Sequence, residues 1–168
     1  MKWNKNWLIL LFAMLTFTTT SCDDDDEVVI DEEWVKLNEE AIAKVKLDKE
    51  FTELVSPGHN GSIYFKVLEQ GEGTETVYYT SVVKCYYKGT LVDGTVFDQR
   101  VNPYHDPYET SLQTIIQGWA IALQYMKVGD KWEIWIPYHL AYGTVADGNI
   151  PAYSALHFEV ELVELVEQ

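Results

Sequence analysis

The chain has 168 residues, 47% hydrophobic and 14% aromatic, which is enough for one domain with a real core plus an appendage. Its formal charge of −15, with no cluster of Lys and Arg, excludes nucleic acid as a partner, because phosphate contacts need such clusters. For the same reason there is no basic run to hold an anionic membrane surface.

Residues 1–21 have the order of a secretory signal: the charged start Met1-Lys2-Trp3-Asn4-Lys5, an apolar run from Leu8 to Leu15, then Thr19-Thr20-Ser21 before Cys22. The apolar run is too short to cross ~30 Å of hydrocarbon with these flanks. Small residues leading into a cysteine resemble the lipobox of bacterial lipoproteins, which implies acylation of Cys22. Thr19 stands where that pattern prefers leucine. The following run Asp23-Asp24-Asp25-Asp26-Glu27 resembles the acidic export tag of Bacteroidetes surface lipoproteins. These resemblances imply a chain lipid-anchored to the outer membrane in the cell envelope, facing periplasm or surface. Residues 22–31 are then a solvated acidic tether, since a calcium site needs spaced ligands and a turn glycine. Cys22 and Cys85 admit two readings. They form a disulfide, as suits an exported protein, or Cys22 is acylated and Cys85 is a single, buried small hydrophobe on a strand.

Glu32 to Phe51 is predicted as one helix, with Trp34, Leu37, Ala41, Val45 and Leu47 near helical spacing. Docked on its own domain, it buries Trp34 and Leu37; standing free, it is a chaperone-like or adhesive surface. Ser56-Pro57-Gly58-His59-Asn60-Gly61 ends it and divides an N-terminal helical extension, 32–60, from a main domain, 61–168. A strand follows in which Ile63, Phe65 and Val67 alternate with Tyr64, Lys66 and Leu68, up to the break at Gly71-Glu72-Gly73. The next spans about Val77 to Val92, with Val83, Cys85 and Tyr87 on one face. Asp93-Gly94 predicts a hairpin into Thr95-Val96-Phe97. Arg100 to Ser111 is irregular, and Gly118 to Tyr125 is a short helix apolar on nearly every side. A strand then carries Trp132, Ile134 and Ile136 on one face, and Pro137 to Pro151 is a loop. In the last strand Leu156, Phe158, Val160 and Leu162 alternate with His157, Glu159 and Glu161. The expected fold class is α+β: a five- to six-stranded antiparallel sheet around one short helix, with the N-terminal helical extension. A helix so apolar must be largely buried, and a face of the sheet is what can bury it.

Several chemistries lack a constellation. His59, His105, His139 and His157 are dispersed, and the chain has no Gly-rich phosphate loop and no Gly-x-Ser-x-Gly. No metal, cofactor or covalent intermediate is expected. What remains is a set of aromatics at element ends: Tyr87 before Lys88-Gly89, Phe97 beside Asp98, Trp119 at the start of the helix, Tyr142 in Ala141-Tyr142-Gly143, and Phe158. Each alone is more often core filling than site; together they make a candidate pocket.

Six blocks in order carry a resemblance: Tyr86-Tyr87-Lys88-Gly89-Thr90-Leu91; Asp93-Gly94-Thr95-Val96-Phe97-Asp98; Ile115-Ile116-Gln117-Gly118-Trp119; Met126-Lys127-Val128-Gly129; Leu140-Ala141-Tyr142-Gly143 with Ile150-Pro151; and Leu156 to Leu162. From about Ser62 to Glu167 the chain resembles the FKBP-type peptidyl-prolyl cis-trans isomerases. The resemblance implies a sheet curled around the short helix and a pocket with Trp119 as floor and Tyr87, Phe97, Ile115 and Phe158 as walls. Tyr108 stands where the family usually has phenylalanine. The Ile116 amide and the Tyr142 hydroxyl are implied to donate to peptide carbonyls, with Ala141 and Ile150 completing the substrate contacts. Asp98 is implied either to act on the twisting imide or to hold Tyr87 and a nearby cation, for which Arg100 is the candidate. The implied activity is rotation about Xaa–Pro bonds in exported proteins. Proline-containing polypeptides are the implied partners, along with macrolides of the tacrolimus and rapamycin type. The chain departs from the family in a shortened Arg100–Ile115 segment, in Ala146 where many relatives have histidine, and in Pro151-Ala152 where Pro-Pro is common. These changes bear on substrate preference and macrolide affinity. The rival reading is a binding module that keeps the pocket without turnover; the retained Asp98 and Tyr142 argue against it.

Overall fold

The computed structural model describes residues 30–168. The expected signal, Cys22 and the expected acidic tether up to residue 29 lie outside the described residues.

Helix α1 spans Glu32–Leu47. Asp31 caps it by accepting from the Trp34 amide at 3.0 Å, and its charges run with the helix dipole, Glu32 and Glu33 first and Lys44 and Lys46 last. The helix stops four residues short of the predicted Phe51. Asp48 turns to extended backbone, and its carboxylate accepts from the Glu50 amide at 2.9 Å, a turn Asp makes readily. The residues so released form β1 (Thr52–Val55), which pairs antiparallel with β2 (Ser62–Glu69). The sheet therefore begins inside the segment read as a helical extension. The Ser56–Gly61 cluster is a turn between two of its strands.

Helix α1 docks on its own domain along the stripe Trp34, Asn38, Ile42 and Val45. Asn38 is 1% exposed; its side chain accepts from the Ala155 amide at 2.7 Å and donates to the Trp34 carbonyl at 2.7 Å. The Trp34 indole N–H donates to Ser154 Oγ at 3.1 Å. Leu37 and Leu47, predicted on the apolar face, are instead 42% and 83% exposed. Leu37 is one residue round the helix from Asn38, and the polar Asn38 takes the inward position because a backbone amide there needs an acceptor. Asn38→Ala leaves that N–H buried without a partner and is expected to cost about 2 kcal/mol, whereas Leu37→Ala should stay within about 0.5 kcal/mol. Urea unfolding of the two variants checks the contrast, and equal losses would contradict it.

The remaining elements are β3 (Val82–Thr90), β4 (Val96–Arg100), β5 (Tyr108–Ser111), α2 (Gln117–Leu123), β6 (Lys131–Ile136) and β7 (Leu156–Glu167). Among the described residues the sheet has seven strands, beyond the five to six expected: six in the order β1-β2-β6-β7-β3-β4 and β5 beside β3, every pair antiparallel. The strands missed in the sequence are β1 and β5. β5 shares one edge of β3 with β4: Val82 to Cys85 pair with β5, and Tyr87 to Thr90 with β4. The turn at Asp93-Gly94 is where the sequence puts it, with Gly94 at φ +87°.

One face of the sheet is built in rows. Phe65, Ile134 and Phe158 align across β2, β6 and β7; Trp132, Val160 and Tyr87 align across β6, β7 and β3. The period-2 alternation of β6 and β7 puts these residues in the core and sends Glu133, Glu159 and Glu161 to the other face. Helix α2 lies on the core face, with every residue from Gly118 to Leu123 buried. A Cβ on Gly118 would come within 2.3 Å of Ile136 Cγ2, so a residue without a side chain is what lets the helix press against β6. The turn leaving α2 is fixed by buried Asp130, which accepts from the Gly71 amide at 2.6 Å and the Lys127 amide at 2.8 Å.

Candidate active site

A cleft of about 340 Å³ opens where α2 begins. Trp119, in the first turn of α2, is 5% exposed and forms its base. Its ring meets Tyr87 edge to face at 5.2 Å and 88°, and Phe158 at 5.3 Å and 76°. Phe97 stands against Phe158 at 5.4 Å and 87°, and Tyr108 against Tyr87 at 5.9 Å and 70°. Edge-to-face contact sets the positive edge of one ring on the negative face of the next, which fixes the walls in one arrangement. Gly89 makes room for them. A Cβ there would lie 2.5 Å from Phe97 Cζ and 2.7 Å from Phe158 Cε1, so two rings from β4 and β7 close over bare backbone of β3.

The polar groups are few. Tyr87 donates to Asp98 Oδ2 at 2.5 Å, and Asp98 Oδ1 accepts from the Gln99 amide at 2.8 Å. Burial first, then the adjacent carboxylate, raises the Tyr87 pKa well above the ordinary phenol value, so its hydroxyl stays a donor. None of the ion pairs among the described residues includes Asp98 or Arg100. Of the expectation that Asp98 holds Tyr87 and a nearby cation, the hydrogen bond to Tyr87 is present and an ion pair with Arg100 is not. Arg100 lines the cleft across the strand pair from Tyr87. Tyr142 is 41% exposed, and its hydroxyl has no partner among the described residues. Burial, then the charges of Asp147 and Asp98, raises its pKa, which also keeps it protonated. The Ile116 amide, just ahead of α2, likewise donates to no acceptor among the described residues. The Trp119 indole N–H is buried without an acceptor among the described residues.

The structure brings Tyr87, Phe97, Asp98, Tyr108, Ile115, Ile116, Trp119, Tyr142 and Phe158 together around this cleft. Ala141 and Ile150, expected among the substrate contacts, do not line it; Ile150 is 6% exposed in the core, and Ala141 packs partly buried against the same core. Thr114 lines the cleft and was not anticipated. Its hydroxyl bonds the Ser111 carbonyl at 3.0 Å, and nothing in its sequence context marks it. Among the described residues no three His, Cys, Asp or Glu side chains gather as metal ligands.

The fold is thus a short helix cradled by an antiparallel sheet, with an aromatic cleft at the helix start and hydrogen-bond donors at its rim. The chain belongs to the FKBP-type peptidyl-prolyl cis-trans isomerases: the family model of that description matches residues 73–163. The FKBP-type 22 kDa peptidyl-prolyl cis-trans isomerase of Escherichia coli is 46% identical over 105 residues, covering 62% of this chain and 50% of that protein. The FKBP-type peptidyl-prolyl cis-trans isomerase FkpA of Aeromonas hydrophila is 33% identical over 152 residues, covering 82% and 55%. A crystal structure of a peptidyl-prolyl cis-trans isomerase from Pseudomonas syringae superposes with a TM-score of 0.69 at 32% identity, covering 82% of this chain and 96% of that one. The chain spans about half the length of the curated relatives it matches.

Proposed function

We propose that the chain is a peptidyl-prolyl cis-trans isomerase that binds proline-containing polypeptides in the aromatic cleft and is lipid-anchored through Cys22 in the cell envelope. The observation that carries the catalytic reading is the pairing of an aromatic cavity based on Trp119 with two donors that have no acceptor among the described residues, the Ile116 amide and the Tyr142 hydroxyl. The site has donors and no nucleophile because the reaction needs none. Rotation about Xaa–Pro is slow because the planar amide has partial double-bond character, with a barrier of ~18–20 kcal/mol. At the twisted geometry that conjugation is lost, the carbonyl is less dipolar, and the group has less need of water. An apolar cavity then disfavours the planar form more than the twisted one, which is differential binding in the required direction. An acceleration of a hundred-thousandfold needs about 7 kcal/mol.

In this reading Ile116 and Tyr142 hold the carbonyls that flank the turning bond. Asp98 acts through Tyr87: with one carboxylate oxygen on the phenol and the other on the Gln99 amide, it fixes the wall on which the prolyl ring slides. Macrolides of the tacrolimus type would compete for the same cavity. Protease-coupled isomerisation of Xaa–Pro tetrapeptides by the full chain in detergent is the test. Turnover by the parent, with kcat/KM about ten- to a hundredfold lower in the Asp98→Ala, Tyr142→Phe double variant, is expected. A parent that binds a macrolide yet turns over no tetrapeptide would make the chain a binding module. The anchor has its own measurement: Cys22→Ser should abolish incorporation of labelled palmitate and move the chain from membrane to soluble fraction.

A further inference from the structure

A second, larger cleft of about 470 Å³ lies on the side of α2 that faces away from the sheet. Its floor is the helix face Gln117, Ala120, Ile121 and Gln124, the i, i+3, i+4, i+7 positions that share one side of a helix. Its banks are the β1–β2 turn at Ser56–Gly58 and the ring of Tyr79, which is 54% exposed. Ile115 belongs to both clefts, so the large one starts where the aromatic one ends.

Two features select an occupant. Among the described residues no charged side chain lines the cleft, in a chain of formal charge −15. And its two glutamines each leave one amide group unused. Gln117 accepts from Asn60 through Oε1, which leaves its N–H₂ free; Gln124 donates to the Ala120 carbonyl, which leaves its Oε1 free. A free donor and a free acceptor two helical turns apart, about 10 Å along the axis, match the carbonyl and N–H of an extended chain over about three residues at ~3.3 Å each.

We propose that this cleft is an extended substrate subsite, which takes about three uncharged or apolar residues of the polypeptide on one side of the proline after the chain crosses Ile115. The proposal rests on the isomerase reading of the neighbouring cavity. It makes substrate length and flanking sequence, beyond the Xaa–Pro dipeptide, the determinants of specificity. Acidic or basic flanking residues would enter an uncharged cleft and lose their hydration without a counter-charge.

The test compares a tetrapeptide with octapeptides that extend it by four apolar residues before or after the Xaa–Pro pair, using the full chain in detergent. One of the two octapeptides is expected to show kcat/KM about tenfold higher than the tetrapeptide, through a lower KM, which is the effect of one or two added hydrogen bonds. Tyr79→Ala and Gln124→Leu should remove that advantage while leaving tetrapeptide turnover within twofold. Equal turnover of all three peptides, or an advantage that survives both variants, overturns the proposal. Amide shifts of Ala120, Ile121 and Gln124 on titration with the octapeptide separate the two readings. If no peptide is turned over but these amides shift, the isomerase reading fails and the subsite stands. If they move with protein concentration alone, the cleft is occupied by a second copy and the subsite is wrong.

Discussion

Phe158→Ala is expected to cost about 3–5 kcal/mol of stability, a large share of what a domain of this size possesses. Phe158 is 4% exposed on β7 and touches three other aromatics of the cleft, Tyr87, Phe97 and Trp119. Truncation removes the ring's own burial and leaves a void bounded by rigid neighbours. Gly89 offers no side chain to move into it, because its bare backbone is what Phe97 and Phe158 already cover. The loss falls on stability and on the site at once: without the wall, Phe97 and Trp119 lose the edge-to-face contacts that orient them. Phe158→Leu separates the two effects. It keeps most of the apolar volume, so urea unfolding should show a cost near 1 kcal/mol, while affinity for a proline peptide falls clearly, since the flat wall is gone. Equal stability losses for the two variants would show that the site is not packed as described.

Alkaline pH is expected to destabilise the fold through Cys85. The thiol is fully buried on β3, and burial first, then the charge of Glu161, pushes its pKa from the ordinary 9.0 up to about 12. The folded state holds this proton more tightly than the unfolded chain does. The contribution is therefore complete below pH 9 and is lost as pH rises toward 12, because the unfolded thiol ionises first. At ~1.4 kcal/mol per pH unit the loss is about 2 kcal/mol by pH 10.5 and about 4 kcal/mol at pH 12. Tyr64, Tyr87 and Tyr142, whose pKa values burial also raises, add to it above pH 10 with the same sign. Urea midpoints at pH 7, 9 and 10.5 test this, and Cys85→Val should flatten the part of the curve between pH 9 and 10. The same burial makes native Cys85 inert to thiol reagents at pH 8, with labelling that tracks global unfolding. A parent and a Cys85→Val variant with identical pH profiles would contradict the assignment.

The strands that bury one face were legible because a period of two is written into the chain itself. Leu156, Phe158, Val160 and Leu162 alternate with polar residues, and every one of them is core. The short apolar helix, the hairpin at Asp93-Gly94 and the aromatics at element ends were legible for the same reason: each is a local property of neighbouring residues. Position at element ends singled out Tyr87, Phe97, Trp119, Tyr142 and Phe158, and resemblance to a family gave each a place in one pocket, which local periodicity could not do, since they come from β3, β4, α2, the loop before Gly143 and β7. What the chain does not encode locally is pairing. β1 and β5 have four residues each, too few for alternation to stand out, and they are strands because β2 and β3 present them with unsatisfied edges. Asn38 lies inside and Leu37 outside because the Ala155 amide, 117 residues further on, needs an acceptor. Ile150 went to the core and Thr114 to the cleft with no local pattern in the chain to mark either. The sequence by itself determined which faces are apolar and which residue types could make a pocket. The tertiary structure decided which backbone groups had to be satisfied across long separations, and so which side chains fill the core and which line the cleft.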